Sequence, residues 1–321
     1  MKENHSTENA QYGNMRMTVV ENHIREYPSR HSLPLPQTLA SIYGSDSLDF
    51  IENPAHMETP LVYVNFVISK EGIYNVNSPG RAGGGPIAHG NQADAFGMAL
   101  LRASAEAVMV GSRTLENEPH HRWHLDFIFD VFPHMKGFDV LRKEFKTWRK
   151  TLDKPTENPP VFFMTRSGRI DLETPDVFRD SHVLPFVVTT LEGASRVRKT
   201  YPDFEKTVQF NGKETSTLLP FEDEREMMSY LRENLGISYL LHEGGKAVIN
   251  ALAQKQLITQ LFLTQMNHSP HCNPEELTYV EYLFSTDDHQ IPTDAAVISK
   301  RTDATGKATL YDLDFRNVLK M

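Results

Sequence analysis

Ile237-Ser-Tyr-Leu-Leu-His-Glu-Gly-Gly-Lys-Ala-Val-Ile-Asn250 holds a short apolar run, two adjacent glycines and the start of an apolar-striped segment. It reads as a buried strand, a tight turn and a helix over 246–256, with Val248, Ile249 and Leu252 on one face. Further out, Leu61-Val-Tyr-Val-Asn-Phe-Val-Ile68 is a near-continuous apolar run of the length of a strand covered on both faces. Similar runs fall at 107–110, 161–164, 186–188 and 261–264. Asn91 and Asp94 mark a helix start, and Phe96, Leu100 and Ala103 then share one stripe. Strands alternating with helices predict an α/β fold, with a mostly parallel sheet covered on both sides. Strands near 279–284, 295–300 and 308–313 are expected to add antiparallel edge pieces.

Composition narrows the class. The 321 residues carry 33 Lys and Arg against 42 Asp and Glu, a formal charge of −9. No basic field is available for nucleic acid or anionic membrane. No apolar run approaches the ~18 residues of a membrane span, and residues 1–10 are too polar for a signal-peptide core. A soluble, cytoplasmic protein is expected. Cys272 is the only cysteine, which excludes an intramolecular disulfide, a CxxC pair and a cysteine-rich zinc site. Residues 1–60 are polar and broken by Pro28, Pro34, Pro36, Pro54 and Pro60. They read as an N-terminal arm ahead of one domain over 61–321, which has insertions near 130–160 and 200–220.

The strand ends carry the chemistry. A Gly-Gly pair alone is more often a tight turn than a ligand site, yet Gly244 and Gly245 also open backbone N–H groups to an anion before a helix. Ala107-Val-Met-Val-Gly-Ser-Arg-Thr114 repeats the arrangement: Gly111 permits close approach, Ser112 and Thr114 offer hydroxyls, and Arg113 a positive charge. Phe162-Phe-Met-Thr-Arg-Ser-Gly-Arg169 adds Thr165, Arg166 and Ser167. Three such junctions resemble the rim of one dinucleotide site, and Arg166 suits a 2′-phosphate, hence NADP over NAD. The pattern GxGxxG is absent, because Gly80, Gly83, Gly84 and Gly85 are spaced differently, so the site is non-Rossmann. Gly83 to Gly85 with Pro86 reads as a loop able to serve as a lid. His121 and His124 stand at i, i+3, but no second ligand cluster accompanies them, so they are assigned to the substrate mouth and no metal is expected. No Gly-x-Ser-x-Gly nucleophile motif occurs.

Taken in order, "VNFVISKEGI" (64–73), "ALLRASAEAVMVGSRTLENEP" (99–119), "VFFMTRSGR" (161–169) and "LLHEGGKAVINALAQKQLITQLFL" (240–263) resemble the pyrimidine reductase domain of riboflavin biosynthesis. The resemblance spans about 61–265 and implies a three-layer, dihydrofolate-reductase-like fold. Leu39-Ala-Ser-Ile-Tyr-Gly44 is similar to a segment that precedes this domain in monofunctional members. The family's S-L-D-G appears here as Ser69-Lys70-Glu71-Gly72, and its T-V-x-x-D-D-P as Thr114-Leu-Glu-Asn-Glu-Pro119, one residue shorter. Its W-I-S appears as Ile87-Ala88-His89-Gly90, and its L-G-G turn is replaced by residues 267–274. The deaminase domain of bifunctional relatives needs more cysteine than this chain has.

The resemblance implies that Ile68, Thr114, Arg166, Gly244, Gly245, Lys246 and Ala247 border NADPH. Arg102 and Glu243 then face the substrate, with Arg102 holding a phosphate and Glu243 accepting from hydroxyl or ring N–H groups, and Asn65 and Glu118 complete the set. The implied reaction opens the ribose of 5-amino-6-(5-phosphoribosylamino)uracil by hydride transfer. Glu71, Glu118 and Glu243 are all candidate acids, and no catalytic residue is singled out. An NADPH-dependent reductase of another pathway, acting on a pterin or specialised metabolite, and a non-catalytic nucleotide-binding protein are the alternatives. The resemblance also implies a homodimer, with the arm of 1–60 wrapping the second subunit.

Overall fold

The computed structural model describes residues 12–78, 81–131, 137–270, 275, 277–279 and 295–316. Cys272 and the strand expected over 280–284 lie outside the described residues. The strands are β1 (Met17–Asn22), β2 (His31–Pro34), β3 (Ser47–Phe50), β4 (Leu61–Ile68), β5 (Ile73–Ser78), β6 (Arg81–Gly83), β7 (Ala107–Gly111), β8 (Val161–Met164), β9 (Pro185–Thr189), β10 (Thr207–Phe210), β11 (Lys213–Ser216), β12 (Leu218–Pro220), β13 (Tyr239–His242), β14 (Gln260–Met266), β15 (Leu277–Tyr279), β16 (Ala296–Asp303) and β17 (Ala308–Asp314). The helices are α1 (Gln37–Tyr43), α2 (Gly85–Ala88), α3 (Gln92–Ser104), α4 (Ser112–Asn117), α5 (Leu125–Val131), α6 (Phe138–Thr151), α7 (Leu191–Thr200), α8 (Glu224–Glu233) and α9 (Lys246–Gln254).

Among the described residues the main sheet runs β1-β16-β17-β14-β4-β13-β7-β8-β9-β12. From β14 to β12 every pairing is parallel, and β14-β17, β17-β16 and β16-β1 are antiparallel. The apolar runs fall at its centre because parallel strands bury both faces. Tyr63, Val110, Phe163 and Leu241 face the layer that holds α3, α6 and α7. Val62, Val64, Met109, Phe162 and Leu240 face α8 and α9. The two-residue side-chain alternation of a strand thus divides one sheet between two helical layers. Helix α3 begins where expected: the Asn91 side chain accepts from the N–H groups of Ala93 and Asp94, at 2.9 and 3.0 Å.

Three expectations need correction. Over its described part the N-terminal stretch is no arm: β1 is the outer strand of the main sheet, while Tyr12, Met15, Leu33, Leu39, Ile42, Tyr43 and Phe50 are buried in the same core as α3. Their burial within this chain leaves no need for a second subunit to cover them. The second correction follows, because β16 and β17 are interior to the sheet and β1 is its edge. The insertion near 130–160 is likewise built into the core through α6, whose Phe145 lies 5.3 Å from Phe96, ring centre to ring centre. The indole N–H of Trp148 donates to Pro34 O at 2.8 Å, tying α6 to the N-terminal stretch. Residues 207–216 form a separate hairpin, β10-β11.

Candidate active site

The first two glycine junctions meet because β7 and β13 are neighbours. The Gly111 N–H donates to Gly244 O at 3.0 Å. Gly244 and Gly245 have φ of +115° and +103°, a region that side chains disfavour. A Cβ on Gly245 would lie 3.1 Å from Gly111 Cα, and one on Gly111 would lie 3.2 Å from Val248 Cγ2. Glycine at these positions leaves a bare backbone cradle, walled by the Thr114 side chain 3.3 Å from where a Gly244 Cβ would be. Ser112 and Thr114 lie in the first turn of α4, Lys246 and Ala247 open α9, and Ile68 is buried at the end of β4. Arg113 does not join them; it sits on the exposed side of α4, 3.4 Å from Glu116.

The third junction is the next along the same sheet edge, since β8 pairs with β7 and Met164 stands in register with Gly111. A cleft there lies between the ends of β8, β9 and β12 and includes Thr165, Arg166, Thr189 and Phe221. Thr165 is buried, and the Ser167 hydroxyl closes the turn by accepting from the Arg169 N–H at 3.2 Å. Arg166 pairs with Glu224, and Glu222 and Asp223 share the same wall. The charge expected to meet a 2′-phosphate is therefore already compensated by a carboxylate of this chain.

On the other side of the cradle, Arg102 is fully buried and grips Glu243 with one edge of its guanidinium, Nε to Oε1 at 2.8 Å and Nη2 to Oε2 at 2.5 Å. Its Nη1 donates to His124 O at 3.0 Å. The charge expected to hold a substrate phosphate is thus engaged by Glu243, whose carboxylate it holds in place. Arg102 Nη2 also lies 2.9 Å from His121 Nε2, and since a guanidinium only donates, Nε2 accepts. The imidazole proton then sits on Nδ1, 3.2 Å from Glu118 Oε2. Glu118, His121, Arg102 and Glu243 form one connected line. Glu118 in turn rests against Gly83, where a Cβ would fall 2.0 Å from Oε1, so the glycine loop read as a lid lies directly over this acid.

The other histidines are taken up elsewhere: His124 Nε2 lies 3.1 Å from Asp180 and His120 Nδ1 3.3 Å from Asp176. Of the candidate acids, Glu71 caps its own turn, and hydrogen bonds from Ser269 and Ser69 hold it below the usual range, an ionised group rather than a proton source. Asn65 lies on the α3 side of the sheet, away from the cradle.

A family model for the RibD C-terminal domain matches residues 62–266. The chain belongs to that family. The RibD C-terminal domain fold is seen again in a pyrimidine reductase-like protein from Corynebacterium diphtheriae, 17% identical with a TM-score of 0.54, in an alignment covering 79% of this chain and 91% of that one. It is also seen in RibD from Acinetobacter baumannii, at 13% identity and a TM-score of 0.51, covering 80% of this chain and 58% of that one. The chain thus spans under two thirds of the Acinetobacter protein. No curated protein matched. The fold is the dihydrofolate-reductase-like, mostly parallel α/β arrangement expected, and no described helix is long and apolar enough to cross a membrane.

Within this RibD-type domain the sequence reading passed over Asp94 as a helix-start acid alone. Its side chain also bonds Thr264, and burial, with Glu243 adding repulsion, pushes it up to about 6. Because it binds its proton more tightly folded than unfolded, the stability it confers is complete below about pH 4 and is lost as pH rises toward 6. Asp94→Asn should therefore flatten the fall in urea midpoint between pH 4 and pH 6. A variant that declines as steeply as wild type would show that Asp94 titrates normally.

Proposed function

We propose that the chain is a nicotinamide-dependent reductase of a small heterocyclic substrate, with reduction of 5-amino-6-(5-phosphoribosylamino)uracil the leading assignment. The observation that carries this reading is the contact of two bare backbones, Gly111 against Gly244 and Gly245, beside the enclosed Arg102–Glu243 pair. The cradle suits a pyrophosphate: side chains are absent where a Cβ would intrude, and Ser112 and Thr114 stand beside it to donate. When bound, the nicotinamide supplies the hydride. The protein's part is to bind, orient and manage charge. Glu243, fixed by Arg102, accepts from substrate hydroxyl or N–H groups, and the Glu118–His121 pair holds a proton at His121 Nδ1. The family reading also carries a homodimer, which sedimentation of the full chain tests.

The test is a fluorescence titration with NADPH and with NADH. NADPH is the expectation from the family resemblance. NADH is favoured as a second reading by the Arg166–Glu224 pair and its two acidic neighbours, since a carboxylate near the ribose suits a free 2′-hydroxyl. If NADPH is the cofactor, Arg166→Ala weakens it about tenfold and leaves NADH unchanged. If NADH binds more tightly and the variant alters neither, the phosphate assignment at Arg166 is wrong. Binding of neither nucleotide removes the reductase reading.

A further inference from the structure

His242 is the last residue of β13, directly before the cradle, and it is fully buried. Side chains alternate along a strand, so it turns with Leu240 toward the layer that holds α8 and α9. Its Nδ1 lies 3.0 Å from Met109 O on β7. A carbonyl only accepts, so the imidazole proton sits on Nδ1 and Nε2 carries the lone pair. Burial pushes the ring down to about 4, which keeps it uncharged near neutral pH. The Gly245 backbone also bears on the ring. One side chain thus spans the first two glycine junctions, reaching the strand that leads to Gly111 and the turn that follows Glu243.

Stability does not require this histidine. Nε2 is buried and, among the described residues, has no hydrogen-bond partner, and an acceptor left that way opposes folding. Met109 O also accepts from the Glu243 N–H at 3.0 Å, so that carbonyl stays satisfied without the imidazole. The surroundings are apolar: Val64 and Met109 stand in register with His242, and Val248 and Ile249 of α9 belong to the same core layer. A leucine, close to histidine in volume, would fill the place with no bare polar atom. What the imidazole adds is direction. Its Nδ1–H bond orients the Met109 peptide shortly before Gly111, whose own N–H donates to Gly244 O.

We propose that His242 is the positioning residue of the cradle, its Nδ1–H holding the end of β7 against the Gly244–Gly245 turn at the spacing that a nucleotide needs. The assignment deepens the reductase reading and rests on it only for the identity of the ligand as a nicotinamide nucleotide.

The experiment compares full-length wild type, His242→Leu and His242→Asn by thermal midpoint, by hydrogen exchange of residues 107–114 followed with mass spectrometry, and by fluorescence titration with NADPH and with NADH. Leucine keeps the volume and removes the donor. Asparagine places an amide N–H near the position of Nδ1 and restores it. In His242→Leu the midpoint should hold or rise, while 107–114 exchanges about tenfold faster and the tighter-binding nucleotide loses about tenfold in affinity. A merely structural histidine does not give that combination. His242→Asn should bring exchange and affinity back to within about threefold of wild type. Unchanged exchange in His242→Leu, a fall in its midpoint that accounts for the faster exchange, or equal losses in both variants overturns the proposal. If wild type binds neither nucleotide the reductase reading falls, and the exchange of 107–114 still decides the role of His242.

Discussion

Arg102→Leu is expected to lower the unfolding free energy by about 3–5 kcal/mol, the usual cost of stranding one member of a buried ion pair. Arg102 has no exposed surface and Glu243 only 7% of its side chain, so water does not replace the lost partner. The substitution also leaves His124 O and His121 Nε2 without their donor. Adding Glu243→Gln to Arg102→Leu should recover part of the loss, because the stranded charge is then gone. Urea unfolding of the two single variants and the double variant measures the coupling. Strictly additive losses would mean that the two side chains do not act as a pair, and the positioning role of Arg102 would fall with them.

The second large effect belongs to the cradle. Gly245→Val sets a branched side chain at φ +103°, with its Cβ 3.1 Å from Gly111 Cα, and so drives the two backbones apart. Nicotinamide nucleotide affinity should drop about a hundredfold, equivalent to roughly 2.7 kcal/mol. Backbone strain alone gives a general loss of stability, and Gly306→Ala controls for it: Gly306 has φ +67° but open space around its Cβ position, in the β16–β17 turn. That variant should cost about 1 kcal/mol of stability and leave nucleotide binding intact. Equal nucleotide affinity in wild type and Gly245→Val would place the cofactor elsewhere.

Sequence and structure agree best where one residue's role depends on its immediate neighbours. The runs around Tyr63, Val108 and Phe163 announce strands because side chains on both of their faces are buried, and Asn91 announces a helix because its cap bonds are local. Gly111 and Gly244 were legible as junctions; that they touch depends on β7 lying beside β13, which no local pattern states. Met15, Leu33, Leu39 and Phe50 are scattered among prolines with no period, and their burial arises only against α3, α6 and the sheet. Nothing in "LLRAS" reveals that Glu243 takes up the charge of Arg102. Nothing near Arg166 announces its carboxylate partner either, since Glu224 lies 58 positions away.

The outer strand β1 has a further consequence, for how the chain reaches its fold during synthesis. Met17 pairs with Asp303 and Asn22 with Ser299, so the earliest strand of the main sheet finds its hydrogen-bonding partner only after the last hairpin has left the ribosome. Until then its backbone groups face water, and the sheet can grow only from β4 onward. Closing such a distant pairing is entropically slow, and the growing sheet has an open margin, first at β4 and then at β14, until 296–314 have emerged. Chaperone demand should accordingly persist until 296–314 have emerged, when one event seals the edge.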